Sequence, residues 1–228
     1  MNMLIHPTTT DKVLAFSTTR DGKLERKVDM QVVLPSHQIH GTTTFIIDKD
    51  FLQKTQLEQI MLLHGVDALA TNEKNVCIGV KTADCIPVLM YDERKEVVSA
   101  VHAGWKGTVQ RIVEKNIDVL KEHFGVNPQD LHAIIGPGIS LESFEVGDEV
   151  YEQFEKAEFP MQQIAKRYEK WHIDLWKANR LQLIRKGVKA ENIHVAGVDT
   201  MTNENYYSAR RMKVCDGRVV NCVALIES

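Results

Sequence analysis

The sequence predicts a mixed α/β fold with a sheet core and outer helices, and three observations lead there. Residues 76–80, 86–91 and 97–102 are nearly continuous apolar runs, as strands covered on both faces are. The charged run Asp92-Glu93-Arg94-Lys95 separates the last two, the pattern of an antiparallel hairpin. Downstream, residues 109–124 carry Ile112, Val113, Ile117 and Leu120 on one helical face, with Gly125 just past the end. Strands and helices interleave, but at least one pair is antiparallel, so the class is mixed.

In chain order, residues 13–17 read as a short strand, and Thr19-Arg20-Asp21-Gly22 as a turn through its Asp-Gly pair. Residues 31–34 form a second strand stopped by Pro35. A β-branched run over 42–47 ends at Asp48. Residues 56–64 are helical, with Leu57, Ile60, Met61 and His64 on one face and Gly65 at the C-terminal end. Beyond the hairpin, a strand over 131–135 leads into Gly136-Pro137-Gly138. Helices follow over 147–155 and 175–186, the second closed by Gly187, then strands over 193–198 and 218–226. No repeat, low-complexity tract or Gly/Ser linker divides the chain, so residues 1–228 are expected to form a single domain. A domain of that length can bury a core without disulfides or structural metals.

Composition removes several function classes. With 28 Lys and Arg against 31 Asp and Glu, the net charge of −3 exerts no general pull towards nucleic acid or an anionic membrane. No apolar run approaches the roughly 18 residues of a membrane span. The first ten residues lack a basic segment followed by an apolar one, so no secretory signal is expected. Cys77, Cys85, Cys215 and Cys222 are scattered and form no Cys-x-x-Cys, which suits a reduced, cytoplasmic protein. Cys77, Cys215 and Cys222 sit in strand-like or loop contexts and are expected to be structural. A cysteine with a chemical task is then a ligand or a nucleophile.

A hairpin looping at 92–95 sets Cys85 directly across from His102, on the same face, with Cβ atoms about 4.5–5.5 Å apart. Pro87 lies inside this run, and a bulge there would shift the register by one. At that separation a thiolate and an imidazole can share a metal ion or form an activated pair. Both residues lie where apolar strands end, the usual place for a site in an open sheet. Gly104 and Gly107 permit close backbone approach. A third ligand must come from elsewhere, and His37 and His40 in Ser36-His37-Gln38-Ile39-His40-Gly41 are the candidates.

The residues around these positions carry a resemblance. Gln38-Ile39-His40-Gly41, Thr82-Ala83-Asp84-Cys85-Ile86-Pro87-Val88-Leu89, Val101-His102-Ala103-Gly104-Trp105-Lys106-Gly107 and Ile135-Gly136-Pro137-Gly138-Ile139-Ser140 resemble the signature blocks of the YfiH-type, or laccase-domain, family. So do Phe144-Glu145-Val146-Gly147, Tyr207-Ser208-Ala209-Arg210-Arg211 and Gly217-Arg218, and the blocks run in order from about residue 14 onwards. The resemblance implies a layered α/β/β/α fold related to bacterial deamidase toxins. It also implies a metal site, described as zinc, at His40, Cys85 and His102. The implied activities are phosphorolysis of purine nucleosides, adenosine deamination and cleavage of methylthioadenosine; older labels are polyphenol oxidase and peptidoglycan editing factor. The chain departs from the family pattern in three places. The block after Ser17-Thr18-Thr19-Arg20 is short, Gly138 stands where many members have Cys, and Asp199 precedes Thr200 where Cys-Thr is common.

A His/Cys/His set leaves one position of a tetrahedral zinc open, as catalytic zinc does. Such an ion would activate a water for attack at purine C6 or act as a Lewis acid on the base. Phosphorolysis needs something different: phosphate and nucleoside must meet in a cationic pocket. Arg20, Lys81, Arg210 and Arg211 are the candidates for it, with Lys106 behind them. Asp84, beside Cys85, is a candidate base or a turn cap. Four-copper laccase chemistry is rejected, because the nine histidines form no His-x-His and no His-Cys-His. Cu²⁺ could still occupy the site adventitiously, since it outcompetes Zn²⁺ on affinity. Two further readings stay open: a metal-free Cys-His hydrolase acting on a peptidoglycan precursor, and a binding module around a structural metal.

Overall fold

The computed structural model describes residues 3–22, 30–213 and 217–227. The chain opens with β1 (Met3–Ile5), β2 (Val13–Thr18), β3 (Gln31–Val33) and β4 (Thr44–Ile47). Two short helices follow, α1 (Lys49–Leu52) and α2 (Gln56–Leu62), then β5 (Ala68–Thr71), β6 (Val76–Thr82), β7 (Ile86–Asp92) and β8 (Val97–Ala103). Next come α3 (Trp105–Val109), α4 (Ile112–Phe124), β9 (His132–Ile135), β10 (Glu145–Val146), α5 (Asp148–Lys156) and α6 (Met161–Ile164). The described chain closes with β11 (Ala165–Arg167), β12 (Trp171–Ile173), α7 (Leu175–Arg185), β13 (Ile193–Val195), α8 (Ala209–Met212) and β14 (Val219–Leu225).

Two sheets stack into the mixed α/β sandwich expected from the sequence. One has the order β1-β2-β14-β6-β3, the other β13-β9-β7-β8-β5-β4, and β10-β12-β11 form a small separate sheet. Alternation along the strands sorts side chains between layers. Val13, Ala15, Ile78, Val80 and Val223 meet Leu69, Leu89, Val98, Ala100 and Ile134 between the sheets. The opposite face of the six-stranded sheet presents Ala70, Val88, Met90 and Val101 to Ile112, Ile117 and Leu120 of α4 and to Ala178 and Leu183 of α7.

Three expectations need correction. The hairpin loop lies one position later than expected: Asp92 pairs with Val97 and Pro87 with His102. Asp92 is the cause, because its buried carboxylate accepts the amides of Arg94 and Lys95 at 2.9 and 3.1 Å and so closes the turn from within the strand. Cys85 is therefore not the strand partner of His102. The helix over 109–124 is broken, since Arg111 adopts left-handed backbone (φ 64°) between α3 and α4. Its guanidinium donates to the Ala157 carbonyl at 2.6 Å and lies 3.6 Å from the Phe159 ring centre, which holds the break in place. The apolar face of α2, which amphipathicity would bury, faces solvent, with Leu57 67% and Met61 68% exposed. That helix is secured instead by a Thr55–Glu58 capping box and by buried Leu63.

Candidate metal centre

His102 stands near the end of β8, buried, and Cys85 lies just before β7. The backbone at Asp84 is left-handed (φ 86°), and this turn brings the half-buried Cys85 thiol back towards β8 although its strand register misses His102. His40 arrives on the loop after β3, itself in left-handed backbone (φ 59°). Gln38 ties that loop to β6 like an extra strand residue, donating to the Lys81 carbonyl and accepting its amide, both at 2.9 Å.

One ligand atom from each of His40, Cys85 and His102 lies within 4.8 Å of the others, and Cys85 Sγ is 3.9 Å from His40 Nδ1. Tetrahedral zinc, with Zn–N about 2.0–2.1 and Zn–S about 2.3 Å, holds its donors roughly 3.3–3.6 Å apart, so the Cys85–His40 side would close by a few tenths of an ångström and the other sides by up to about 1.5 Å. Gly104 is what lets the three approach: a Cβ there would stand 2.5 Å from His40 Nδ1 and 3.0 Å from Cys85 Sγ. His37, the other histidine candidate, stacks on His64 at 5.2 Å and only lines the rim.

Sequence reasoning missed Asp67. It is fully buried at the start of β5, where its carboxylate takes His102 Nδ1 at 2.8 Å. It also accepts the amides of Ile39, His40 and Gly41 at 3.3, 3.0 and 2.7 Å. A buried acid ahead of an apolar strand was the one signal that could have pointed to it. Burial opposes ionisation of Asp67, but these donors, His102 first, hold its pKa below the ordinary value.

Electrostatics couple the remaining pair. Burial alone would push the Cys85 thiol up, but the charge on His102 and hydrogen bonds from His102 and His40 bring it down to about 6. Burial likewise opposes charge on His102, yet the Cys85 thiolate and Asp67 raise it to about 9. Without metal, both shifts favour a thiolate–imidazolium pair at neutral pH.

The triangle opens into a pocket of about 500 Å³ whose lining includes Ser36, Gln38, Lys81, Thr82 and Arg218. Among the four cation candidates, Lys81 lines this pocket. Burial and then repulsion from Arg218 lower its pKa, so two cations crowd one wall. The other three lie elsewhere. Arg211 donates to the carbonyls of Thr200, Met201, Asn203 and Tyr206 at 2.9, 2.7, 3.4 and 2.6 Å. Arg20 reaches the Glu204 carbonyl at 3.4 Å and faces the Tyr207 ring. Arg210 donates to the Glu145 carbonyl at 3.0 Å, in an adjoining depression with Phe144 and Lys213. Asp84 accepts from Thr200 Oγ1 at 2.7 Å, Ser208 Oγ at 3.0 Å and the Arg210 amide at 2.7 Å, fastening this loop to the cysteine turn.

Two of the departures from the family pattern are neighbours. Gly138 and Asp199 pair across a parallel bridge, and Asp199 collects the hydroxyls of Ser140, Ser143 and Thr202. A Cβ at Gly138 would lie 2.4 Å from Ile86 Cδ1, so glycine permits the close packing here. The third, the shortened block, falls largely on residues 23–29, outside the described residues, as does Cys215.

A layered α/β protein with a convergent His/Cys/His set on a polar pocket is built as an enzyme with a metal-capable centre. The chain belongs to the family described as multi-copper polyphenol oxidoreductase laccase, which it matches over residues 8–226. It is 40% identical over 203 residues to a purine nucleoside phosphorylase of Bacteroides thetaiotaomicron, covering 87% of this chain and 75% of that one. It is 38% identical over 195 residues to adenosine deaminase RL5 from an unknown prokaryotic organism, covering 84% and 74%. Among solved structures, Neisseria meningitidis NMB0706 superposes with a TM-score of 0.81 at 25% identity, across 100% of both chains. YlmD of Geobacillus stearothermophilus gives 0.83 at 24%, covering 95% of this chain and 93% of that one. No helix among the described residues is long and apolar enough to cross a membrane.

Proposed function

We propose that this protein cleaves purine nucleosides with phosphate and deaminates adenosine at the His40–Cys85–His102 centre, with zinc as its resident ion. The observation that carries this reading is the opening of the three converging donors into a pocket with Lys81 and Arg218 on its wall. The volume of about 500 Å³ falls within the about 300–1,000 Å³ usual for small-ligand sites. The names of the relatives support the same two reactions.

Bound zinc would supply Lewis acidity and an open coordination position. The chain's own residues supply the rest. In phosphorolysis a phosphate oxygen attacks C1′ of the ribose while the C1′–N9 bond breaks, and the purine leaves with the electron pair and takes up a proton. Lys81 and Arg218 hold the phosphate, and an anion between them relieves their mutual repulsion. Asp84, Arg20, Arg210 and Arg211 shape the loop over 200–210 that borders the pocket, and Asp84 acts there as a positioning residue, not a base. In deamination the attacking group is water and ammonia leaves C6, so the phosphate seat is not required.

The test is a screen of adenosine, inosine, guanosine and methylthioadenosine with the purified protein, with and without phosphate, analysed for free base and for inosine. Phosphate-dependent base release is expected, with inosine forming from adenosine in its absence. Base release that ignores phosphate would make the enzyme a hydrolase and remove the Lys81–Arg218 seat.

The thiolate–imidazolium pair favours a second reading, a Cys-His nucleophile that needs no metal. Full activity after exhaustive chelation would establish it. Copper chemistry of the four-metal kind has no counterpart here, since His40, Cys85 and His102 are the one such donor group among the described residues.

A further inference from the structure

We propose that Asp67 is the positioning residue that assembles the metal centre, presenting both histidine ligands from a single buried carboxylate. The inference rests on the metal reading above. His40 and His102 come from different elements, a loop in left-handed backbone and the end of β8, and no backbone pairing joins them directly. Asp67 spans the gap. Oδ1 takes His102 Nδ1 at 2.8 Å and the His40 amide at 3.0 Å. Oδ2 takes the Gly41 amide at 2.7 Å and the Ile39 amide at 3.3 Å.

Each bond has a consequence for ligation. Holding the proton on Nδ1 leaves the Nε2 lone pair of His102 for the ion. Holding three successive amides keeps residue 40 in a backbone conformation that a non-glycine residue seldom adopts, and so keeps its ring against Cys85. Both demands are for an acceptor, and only a carboxylate accepts on both oxygens.

Asparagine, of nearly the same size, cannot do both. If its oxygen faces His102 and the His40 amide, its NH₂ opposes the Gly41 and Ile39 amides, and the loop is released. If it flips, the NH₂ donates to His102 Nδ1, the imidazole proton moves to Nε2, and the ligating lone pair is lost. Either way one histidine is withdrawn.

The experiment measures Co²⁺ and Zn²⁺ affinity by chelator competition in the wild type, Asp67→Asn and Asp199→Asn, with the Co²⁺ absorption spectrum and the melting temperature of each metal-free protein. Asp67→Asn should bind about 10- to 100-fold more weakly. Its cobalt spectrum should keep the thiolate charge-transfer band and change its ligand-field bands, as expected when a histidine departs. Asp199→Asn disturbs another well-bonded carboxylate away from the triangle and should stay within about twofold of the wild type, well under the 1.4 kcal/mol that a tenfold change represents. Unchanged affinity and spectrum in folded Asp67→Asn would overturn the proposal, as would an equal loss in Asp199→Asn. Failure of the wild type to bind either ion would overturn the metal reading itself. Should Asp67→Asn not fold, long-range ¹H–¹⁵N spectra of the zinc-loaded wild type decide the matter. A proton on His102 Nδ1 supports the assignment, and a proton on Nε2 overturns it.

Discussion

Stripping the metal should leave Cys85 reactive far below the pH at which thiols normally respond. Its pKa of about 6, against 9.0 for an ordinary thiol, means the thiolate persists as pH falls to about 6 and is lost only below that. At pH 7 roughly nine-tenths of Cys85 would be thiolate, against roughly one per cent of an ordinary cysteine, about a 90-fold difference in the attacking species. A less basic thiolate is a weaker nucleophile, and with a Brønsted coefficient of about 0.4–0.5 three pKa units cost about 16- to 30-fold. The net expectation is attack on a disulfide reagent about 3- to 6-fold faster than an ordinary thiol at pH 7. At pH 6 the advantage grows to about 15- to 30-fold, because half the thiolate remains there. The assay is stopped-flow reaction with 2,2′-dithiodipyridine between pH 4 and 10, on chelated protein carrying Cys215→Ser. Cys77 and Cys222 are fully buried and should not contribute. The rate should level off above about pH 7, His102→Ala should move the inflection up, and stoichiometric zinc should suppress the reaction. An inflection near 9 in the parent protein would refute the ion-pair account of the site.

Elemental analysis should find about one zinc per chain in the wild type and much less in Cys85→Ala, which lacks the thiolate ligand. Lys81→Ala and Arg218→Ala should each raise the KM for phosphate by about tenfold or more, equivalent to about 1.4 kcal/mol of binding, with zinc content unchanged. Gly104→Ala places a methyl group 2.5 Å from His40 Nδ1, and it should abolish metal binding while costing only about 1–3 kcal/mol of stability in a denaturant melt. Arg211→Ala strands four carbonyls that now share one guanidinium, and should lower stability by about 2 kcal/mol or more while leaving zinc content intact.

Much of this was written locally. The apolar runs that became β6, β7 and β8 needed only composition to identify, because strands covered on both faces carry no alternation to decode. The helix over 175–186 was equally plain, with Asp174 as its N-cap and Gly187 beyond its end. The three converging residues, His40, Cys85 and His102, could be named because they sit in long motif blocks. Strands β1 and β5 and the small sheet of β10, β11 and β12 escaped notice, since runs of two to four residues take their stability from partners far along the chain.

What the sequence determined by itself was the class of fold and a set of chemically capable candidates: His40, Cys85 and His102 as metal donors, and several cations suited to an anion. What tertiary structure decided was which of them meet. Cys85 reaches His102 through the left-handed turn at Asp84, not through strand pairing, and no spacing rule encodes such a turn at a residue other than glycine. Of the cation candidates, Lys81 reached the pocket while Arg211 was drawn into capping four loop carbonyls. An arginine's partners are set by whichever acceptors lie within reach of its long side chain once the loops are packed. Asp67 became a partner of both His40 and His102 for the same reason: a carboxylate's role depends on the donors that folding brings around it, and those came from residues 26 to 35 positions away.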